Sequence, residues 1–123
     1  MSRSTVLANN LNLVGIMAIE FFVLKDGEIL VNEMAPRPHN SGHFSMDSCQ
    51  TSQFEQFVRA ITASDFGSTK FHSHGHMVNL IGNQVNDLEK YHQNENAKIH
   101  LYGKKEAREG RKMGHVNIVT KIS

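Results

Sequence analysis

Two apolar segments joined by a short polar turn are the feature of this chain that most constrains its fold. The segments V-G-I-M-A-I-E-F-F-V-L and E-I-L-V-N-E-M-A are separated by the sequence K-D-G-E at residues 25–28. An Asp-Gly pair favours a two-residue hairpin loop, because both central positions need positive φ and Gly adopts it without strain. If Asp26 and Gly27 form that loop, Glu20 lies opposite Glu33. The sequence therefore predicts an antiparallel hairpin with two facing carboxylates.

The facing carboxylates need a partner, because like charges directly opposite each other destabilise a sheet. In the predicted register Lys25 pairs with Glu28, and both faces of the hairpin are apolar, which predicts burial on both faces. Buried charge is costly unless it is paired or coordinates a metal, and Mg²⁺ usually takes one or two carboxylates together with phosphate oxygens. We therefore predict a Mg²⁺ and phosphate site at Glu20 and Glu33. The alternative is a pair of solvated side chains on an exposed edge. The other residues predicted on the carboxylate face are Ala18, Phe22, Val31 and Ala35.

A loop rich in anion-binding groups follows Glu33 directly, with the sequence M-A-P-R-P-H-N-S-G-H at residues 34–43. Its two prolines restrict the backbone, so Arg37 and His39 lie on a stiff, non-helical segment. The guanidinium of Arg37 suits carboxylate, carbonate or phosphate, and His39 can donate a hydrogen bond or move a proton. Asn40 and Ser41 add neutral polar contacts. An ordinary polar turn explains the prolines but not this density of functional groups.

Several motifs together resemble one enzyme family. The sequence N-E-M-A-P-R-P-H-N-S-G-H, then T-S-Q-F-E-Q, and later Y-G-K and G-R-K-M-G-H-V closely resemble the 5-(carboxyamino)imidazole ribonucleotide synthetases. These are ATP-grasp enzymes of purine biosynthesis, also called the ATPase subunit of phosphoribosylaminoimidazole carboxylase. The resemblance covers essentially the whole chain but only about the C-terminal third of such an enzyme. Sister ATP-grasp enzymes share the N-E-x-x-P-R part, whereas H-N-S-G-H and R-K-M-G-H indicate the carboxyaminoimidazole branch.

The resemblance implies a role for each matching residue. ATP and Mg²⁺ are the implied cofactors: Glu20 and Glu33 hold the metal against the ATP phosphates, with Asn32 beside them. Bicarbonate, carboxyphosphate and 5-aminoimidazole ribonucleotide meet at the proline loop, and the implied catalytic residues are Arg37, His39 and Asn40. The residues implied to bind the ribonucleotide are Asn40, Ser41, Lys104, Arg111 and Lys112.

The expected fold class is α+β, with two units. Residues 1–65 form the C-terminal part of an ATP-grasp lobe, an antiparallel hairpin covered by a helix. That helix begins at a capping box, S-Q-F-E at residues 52–55, and its apolar stripe is predicted to be core: Phe54, Phe57, Val58 and Ile61. Residues 66–123 form a small β-rich domain after a linker at 64–73. Its predicted strands are 76–82, 98–102 and 113–122, with a short helix or turn at 86–92.

A basic, Gly-punctuated stretch at residues 102–115 lies in this second unit. Backbone N–H groups and cationic side chains of such a stretch can bind a phosphate together, although a basic loop between strands is often only solvated. The family resemblance favours phosphate binding, through the lysine of Y-G-K and the R-K pair. Glu109 departs from the family pattern and weakens the local positive potential, and His115 is expected to orient the loop.

The implied parent reaction uses ATP and bicarbonate to carboxylate the amine of 5-aminoimidazole ribonucleotide, and it releases ADP and phosphate. The resemblance implies that an N-terminal lobe of the same enzyme supplies the remaining ATP-binding residues, that this chain alone is inactive, and that the parent is a homodimer. Two alternatives stay open. One is a sister enzyme such as a formate-dependent transformylase or a biotin-type carboxylase. The other is a non-catalytic module that functions with a partner lobe.

Composition excludes several other functions. Thirteen Lys and Arg against twelve Asp and Glu give a net charge of +1, and no aromatic residues interleave with the basic stretch, which argues against nucleic-acid binding. The single cysteine, Cys49, cannot form an intrachain disulfide, which suits a reducing cytoplasm. No apolar segment is long enough to span a membrane. His72, His74 and His76 alternate within the predicted linker, and we expect adventitious surface metal binding there rather than a built site.

Overall fold

The chain forms two compact units, which a computed structural model describes over residues 3–122. The first unit combines residues 3–46 with Thr51–Thr69, and the second combines Asp47–Gln50 with residues 70–122. The mixture of a hairpin, helices and a second small sheet is the α+β architecture expected from the sequence. The division between residues 65 and 66 stays a prediction.

The hairpin of the first unit consists of β1 (Ala18–Val23) and β2 (Ile29–Ala35), and Glu20 pairs with Glu33 as predicted. The turn differs from the prediction. Leu24 donates its N–H to the carbonyl of Glu28 at 2.8 Å, so Lys25 does not pair with Glu28. The loop therefore has three residues and ends at Gly27, whose φ of +87° suits the left-handed position of a three-residue hairpin.

A β-bulge in β2 restores the register that the longer loop shifts. Phe21 pairs with Val31 whereas Glu20 pairs with Glu33, so Asn32 is the extra residue. A bulge leaves one residue outside the ladder and redirects its side chain. The predicted face was therefore wrong beyond the bulge: Leu30, rather than Val31, lies on the carboxylate face, opposite Phe22.

The hairpin is not buried on both faces, contrary to the prediction. Ala35 is the only buried residue of the two strands, and many apolar side chains of both strands are substantially exposed: Phe21, Phe22, Val23, Ile29, Leu30, Val31 and Met34. Among the described residues, these apolar side chains are therefore not covered. Glu20 and Glu33 are consequently half-exposed rather than buried.

The helices of the first unit are α1 (Arg3–Asn10), which was not predicted, the short α2 (Ser45–Ser48), which continues into the second unit, and α3 (Gln53–Ile61). The predicted start of α3 is confirmed, because the Ser52 side chain accepts from the Glu55 N–H at 3.2 Å. The Glu55 carboxylate instead pairs with Arg59, one turn along the helix. The predicted core stripe of α3 is only partly correct. Phe57 packs close to Gly15, where an added Cβ would lie 3.4 Å from its ring. The other three members of the stripe are exposed, namely Phe54, Val58 and Ile61. Within the described part of the chain, no helix has the length and apolarity needed to cross a membrane.

The second unit is built on a three-stranded antiparallel sheet in the order β3-β5-β4. Its strands are β3 (Ser73–Ile81), β4 (Ala97–Leu101) and β5 (Lys112–Lys121), and α4 (Glu89–His92) precedes β4. The three strands were predicted within a few residues of these bounds. The central strand β5 is the most buried, with Val116 fully enclosed. A 3₁₀ turn, Gly82–Asn86, follows β3.

Two of the three alternating histidines, His74 and His76, belong to the sheet, whereas His72 directly precedes β3. β3 begins earlier than predicted, so His74 and His76 lie on one face of this edge strand, and both are exposed. Among residues 3–122, no group of three or more His, Cys, Asp or Glu side chains is arranged to hold a metal ion.

Partial burial raises the pKa of the Cys49 thiol, which disfavours the reactive thiolate.

Leu80 tests the core of the second unit, because its side chain is only 1% exposed. We expect Leu80→Ala to lower the free energy of unfolding by about 2–5 kcal/mol through lost burial and cavity formation. Leu101→Ala, at a position that is 54% exposed on β4, is the matched control and should cost less than about 1 kcal/mol. Urea unfolding followed by circular dichroism measures both. Equal losses in the two variants would contradict this assignment of the core.

Candidate functional site

The paired carboxylates share one histidine. The Nε2 atom of His39 lies 2.9 Å from Glu33 Oε1, and its Nδ1 atom lies 3.4 Å from Glu20 Oε1. An ionised carboxylate only accepts hydrogen bonds, so Nε2 carries the hydrogen, and Ser41 Oγ lies 2.8 Å from Nδ1. The imidazole is well packed at 11% exposure, whereas the carboxylates are 38% and 50% exposed. His39 thus links the hairpin to the proline loop.

The β-bulge adds a further polar group to this cluster. The Asn32 side-chain amide donates to Glu20 Oε2 at 3.4 Å, a long hydrogen bond. The structure therefore brings five of the predicted site residues together in the first unit: Glu20, Asn32, Glu33, His39 and Ser41.

The proline loop presents its residues as the sequence predicted. His39 is extended, with φ −126° and ψ 152°, and it caps a 3₁₀ turn, Asn40–Gly42. Arg37 donates through Nη1 to the carbonyl of Pro38 at 2.9 Å, so its guanidinium has no carboxylate partner among the ion pairs of the described residues. Such a guanidinium retains donors for an oxyanion.

A concave site of about 370 Å³ lies beside the loop. Its walls combine residues 16–19 at the start of β1 with Arg37, Ser41 and Gln53. The motif T-S-Q-F-E-Q contributed to the family resemblance, but sequence reasoning gave Gln53 no role. The only signal in the sequence was its position directly after the predicted helix cap, Ser52.

The basic residues predicted to bind a phosphate lie in the second unit, on the loop between β4 and β5. Lys104 donates to the carbonyl of Lys112 at 2.6 Å, and Arg111 donates to the carbonyl of Glu106 at 3.3 Å. The Glu106 carboxylate pairs with Arg108 at 2.6 Å. These contacts brace the loop internally while its cationic side chains stay exposed.

The base of this loop rests on a buried histidine. Tyr102, the first loop residue, has its hydroxyl 2.9 Å from His115 Nδ1, and His115 is only 2% exposed. His115 stacks on His100, whose Nε2 lies 2.7 Å from Asp47 Oδ2. His115 therefore contacts the loop that it was expected to orient, and His100 has a structural role.

The donor set suits a hard cation better than a transition metal. Two carboxylates and a neighbouring amide are oxygen donors of the kind Mg²⁺ prefers. Mg²⁺ usually retains water and phosphate ligands rather than binding in an all-protein cage, so a pair of half-exposed carboxylates fits it. Glu20 and Glu33 are the residues that could hold the metal.

Comparison with known protein families divides the chain into two matching segments. Residues 3–54 match the ATP-grasp domain, and residues 76–122 match the phosphoribosylaminoimidazole carboxylase C-terminal domain. The first segment contains the carboxylate pair, the proline loop and Gln53, and the second contains the basic loop.

Full-length relatives extend both matches. The N5-carboxyaminoimidazole ribonucleotide synthase of Bacillus subtilis is 51% identical over 114 residues, which are 92% of this chain and 30% of the relative. The phosphoribosylaminoimidazole carboxylase ATPase subunit of Aquifex aeolicus superimposes with a TM-score of 0.87 at 44% identity, covering 95% of this chain and 36% of that one. An Aspergillus clavatus N5-carboxyaminoimidazole synthase, solved with ADP and 5-aminoimidazole ribonucleotide, superimposes with a TM-score of 0.80 at 36% identity. The match covers 87% of this chain and 30% of that one. The chain therefore spans about a third of the length of these relatives.

Proposed function

We propose, from the premise that the chain belongs to the N5-carboxyaminoimidazole ribonucleotide synthase family, that it is the C-terminal portion of such an enzyme. The parent reaction transfers the γ-phosphoryl group of ATP to bicarbonate, giving ADP and carboxyphosphate. Carboxyphosphate then loses phosphate as CO₂ is delivered to the exocyclic amine of 5-aminoimidazole ribonucleotide. The observation that carries this proposal is the cluster in which Glu20 and Glu33 share His39. This cluster lies in a chain whose two segments match the ATP-grasp domain and the phosphoribosylaminoimidazole carboxylase C-terminal domain.

Mg²⁺ is the metal that this carboxylate pair would hold. Bound there, it would offset the negative charge of the ATP phosphates. The two half-exposed carboxylates present oxygen atoms on an open face, and Asn32 steadies Glu20 from the bulge. His39 holds Glu33 at 2.9 Å, which fixes one of the two ligands before the nucleotide arrives.

The proline loop supplies the bicarbonate and carboxyphosphate site in this proposal. Arg37 faces the cavity beside the loop and offers a planar pair of donors to an oxyanion. His39 and Asn40 orient the anion, and His39 is the candidate proton carrier because its ring already bridges hydrogen-bonding groups. Ser41 contributes a hydroxyl to the same wall.

The basic loop of the second unit anchors the phosphate of the ribonucleotide. Lys104 and Arg111 are exposed, and their contacts with backbone carbonyls leave further N–H donors available. Lys112 adds a third positive charge at the start of β5. Binding energy from this remote phosphate would position the amine for carboxylation.

The activity requires the rest of the parent enzyme. The chain spans about 30% of the Bacillus subtilis relative, so an additional lobe of the same enzyme supplies the remaining ATP contacts. The exposed apolar faces of the hairpin fit docking of that lobe, and the complete enzyme is proposed to be a homodimer. We expect the isolated chain to show no ATP turnover.

A chimeric enzyme tests the proposal. Residues 3–122 of this chain replace the matching segment of the Bacillus subtilis relative, and ADP release is measured with bicarbonate and 5-aminoimidazole ribonucleotide present or omitted. We expect release that depends on both substrates, while the isolated chain gives none. Release that is independent of the ribonucleotide, or that requires formate or biotin instead, would assign the chain to a sister ATP-grasp enzyme.

A further inference from the structure

The side-chain amide of Gln53 pairs with the backbone of His39 on both sides. The His39 N–H donates to Gln53 Oε1 at 3.0 Å, and Gln53 Nε2 donates to the His39 carbonyl at 2.9 Å. This two-bond arrangement resembles the exchange of hydrogen bonds between paired residues of adjacent strands. The first residue of α3 thereby fixes the backbone of the residue whose ring lies between the two carboxylates.

The same amide has no unused donor. Its Nε2 also lies 2.7 Å from His43 Nδ1, so both hydrogens of the amide have acceptors. The Gln53 backbone N–H donates to Ser45 Oγ at 2.9 Å. A Cβ at residue 42 would lie only 2.4 Å from Gln53 Oε1, so glycine at this position leaves room for the Gln53 amide. The Gln53 amide therefore provides hydrogen-bond partners for the backbone of His39 and for the ring of His43 at the same time.

We propose that Gln53 is the positioning residue of the proline loop and holds His39 between Glu20 and Glu33. The inference rests on the proposed function, because it assigns the loop's geometry a role in binding bicarbonate and carboxyphosphate. Gln53 acts through the backbone of His39 and through the wall that it shares with Arg37. Without the amide, the His39 backbone loses both of these hydrogen bonds, and its ring is no longer fixed between the carboxylates.

Gln56 provides a matched control on the same helix. Its Nε2 donates to the carbonyl of Gly67 at 2.6 Å, and its Oε1 accepts from the Gly67 N–H at 3.1 Å. The chemistry is the same two-sided amide pairing, but the partner segment is distant in sequence from the proline loop. Gln53→Met and Gln56→Met therefore both remove a two-sided amide pairing with one backbone residue while preserving side-chain length. Gln53→Met also removes the contact with His43 Nδ1, and only Gln53→Met is expected to affect His39.

Amide hydrogen exchange in the isolated chain tests the proposal without requiring activity. We expect Gln53→Met to speed exchange of the His39 amide by about 5- to 10-fold, as loss of a hydrogen bond implies, while Gln56→Met leaves it unchanged. Unchanged His39 exchange in Gln53→Met would overturn the proposal. This result is independent of whether the chimeric enzyme carboxylates anything, so failure of the proposed function remains distinguishable.

Kinetics of the chimeric enzyme test the positioning role. A displaced loop should lower kcat and raise KM for bicarbonate, reducing kcat/KM by about 100-fold, since a displacement near 1 Å can cost that much. KM for the ribonucleotide should rise less than KM for bicarbonate, because the basic loop is proposed to hold the phosphate of the ribonucleotide. Gln56→Met should change neither parameter by more than about threefold. Equal losses in both variants, or a general loss across all substrates, would show a merely structural role and overturn the proposal.

Discussion

Glu33→Gln is expected to lower ribonucleotide-dependent ADP release by the chimeric enzyme by about 10²- to 10³-fold, the scale of losing one electrostatic contact to a developing charge. The variant keeps an oxygen that can accept from His39 Nε2, which lies 2.9 Å from Glu33 Oε1 in the native chain. The loop geometry is therefore preserved while one negative charge is removed from the proposed metal ligands. Raising the Mg²⁺ concentration should recover part of the lost rate.

Glu28→Gln is the control for this prediction. Glu28 follows the hairpin loop and is exposed. Its substitution by Gln removes the same charge from the same hairpin but leaves the carboxylate cluster unchanged. Its rate should stay within about threefold of the unmodified chimeric enzyme, as expected for a surface substitution. A Glu33→Gln variant that also stays within that range would show that the paired carboxylates do not hold the metal.

Arg111→Met is expected to raise KM for 5-aminoimidazole ribonucleotide by about 10- to 100-fold, the effect of losing a charge-assisted hydrogen bond to phosphate. KM for ATP and for bicarbonate should change little, because those substrates are proposed to bind at the first unit's cluster. Steady-state kinetics of the chimeric enzyme, with each substrate varied in turn, measures the difference.

Lys105→Met separates a specific phosphate contact from a general loss of positive charge. Lys105 is an exposed residue of the same loop, and the substitution removes the same single charge. A rise in KM for the ribonucleotide of less than about threefold is expected, since exposed charges in water contribute little. Equal rises in KM for Arg111→Met and Lys105→Met would show that the ribonucleotide responds only to the total positive charge of the loop. That result would contradict a direct contact between Arg111 and the phosphate.

The sequence predicted the Glu20–Glu33 pair correctly, although the predicted loop length and the regular pairing of β2 were both wrong. The loop has three residues instead of two, which shifts the pairing by one, and the bulge at Asn32 shifts it back. Local turn propensity cannot reveal such a bulge, because nothing in the residues near Asn32 distinguishes it from a regular strand position. The strands of the second unit were easier to predict, since their apolar residues coincide with a real core around Val116.

Predictions that depended on burial were the least successful. Apolar patterning of the hairpin and of α3 predicted a core, yet Phe22 and Val58 are exposed at 56% and 54%. Hydrophobicity shows that a residue is suited to burial but not whether the described residues cover it. Gln53 was missed for a different reason: a glutamine after a helix cap has no distinctive pattern, and its contact with His39 spans fourteen positions in sequence.

Transfer of label from ¹⁴C-bicarbonate to 5-aminoimidazole ribonucleotide by the chimeric enzyme follows the carboxylation itself and is the measurement to make first. We expect one labelled carboxyl group on the ribonucleotide for each ADP released, with transfer greatly reduced in Glu33→Gln. ADP release without any label on the ribonucleotide would contradict the proposed carboxylation, and would leave an ATP-grasp portion whose acceptor is a different molecule.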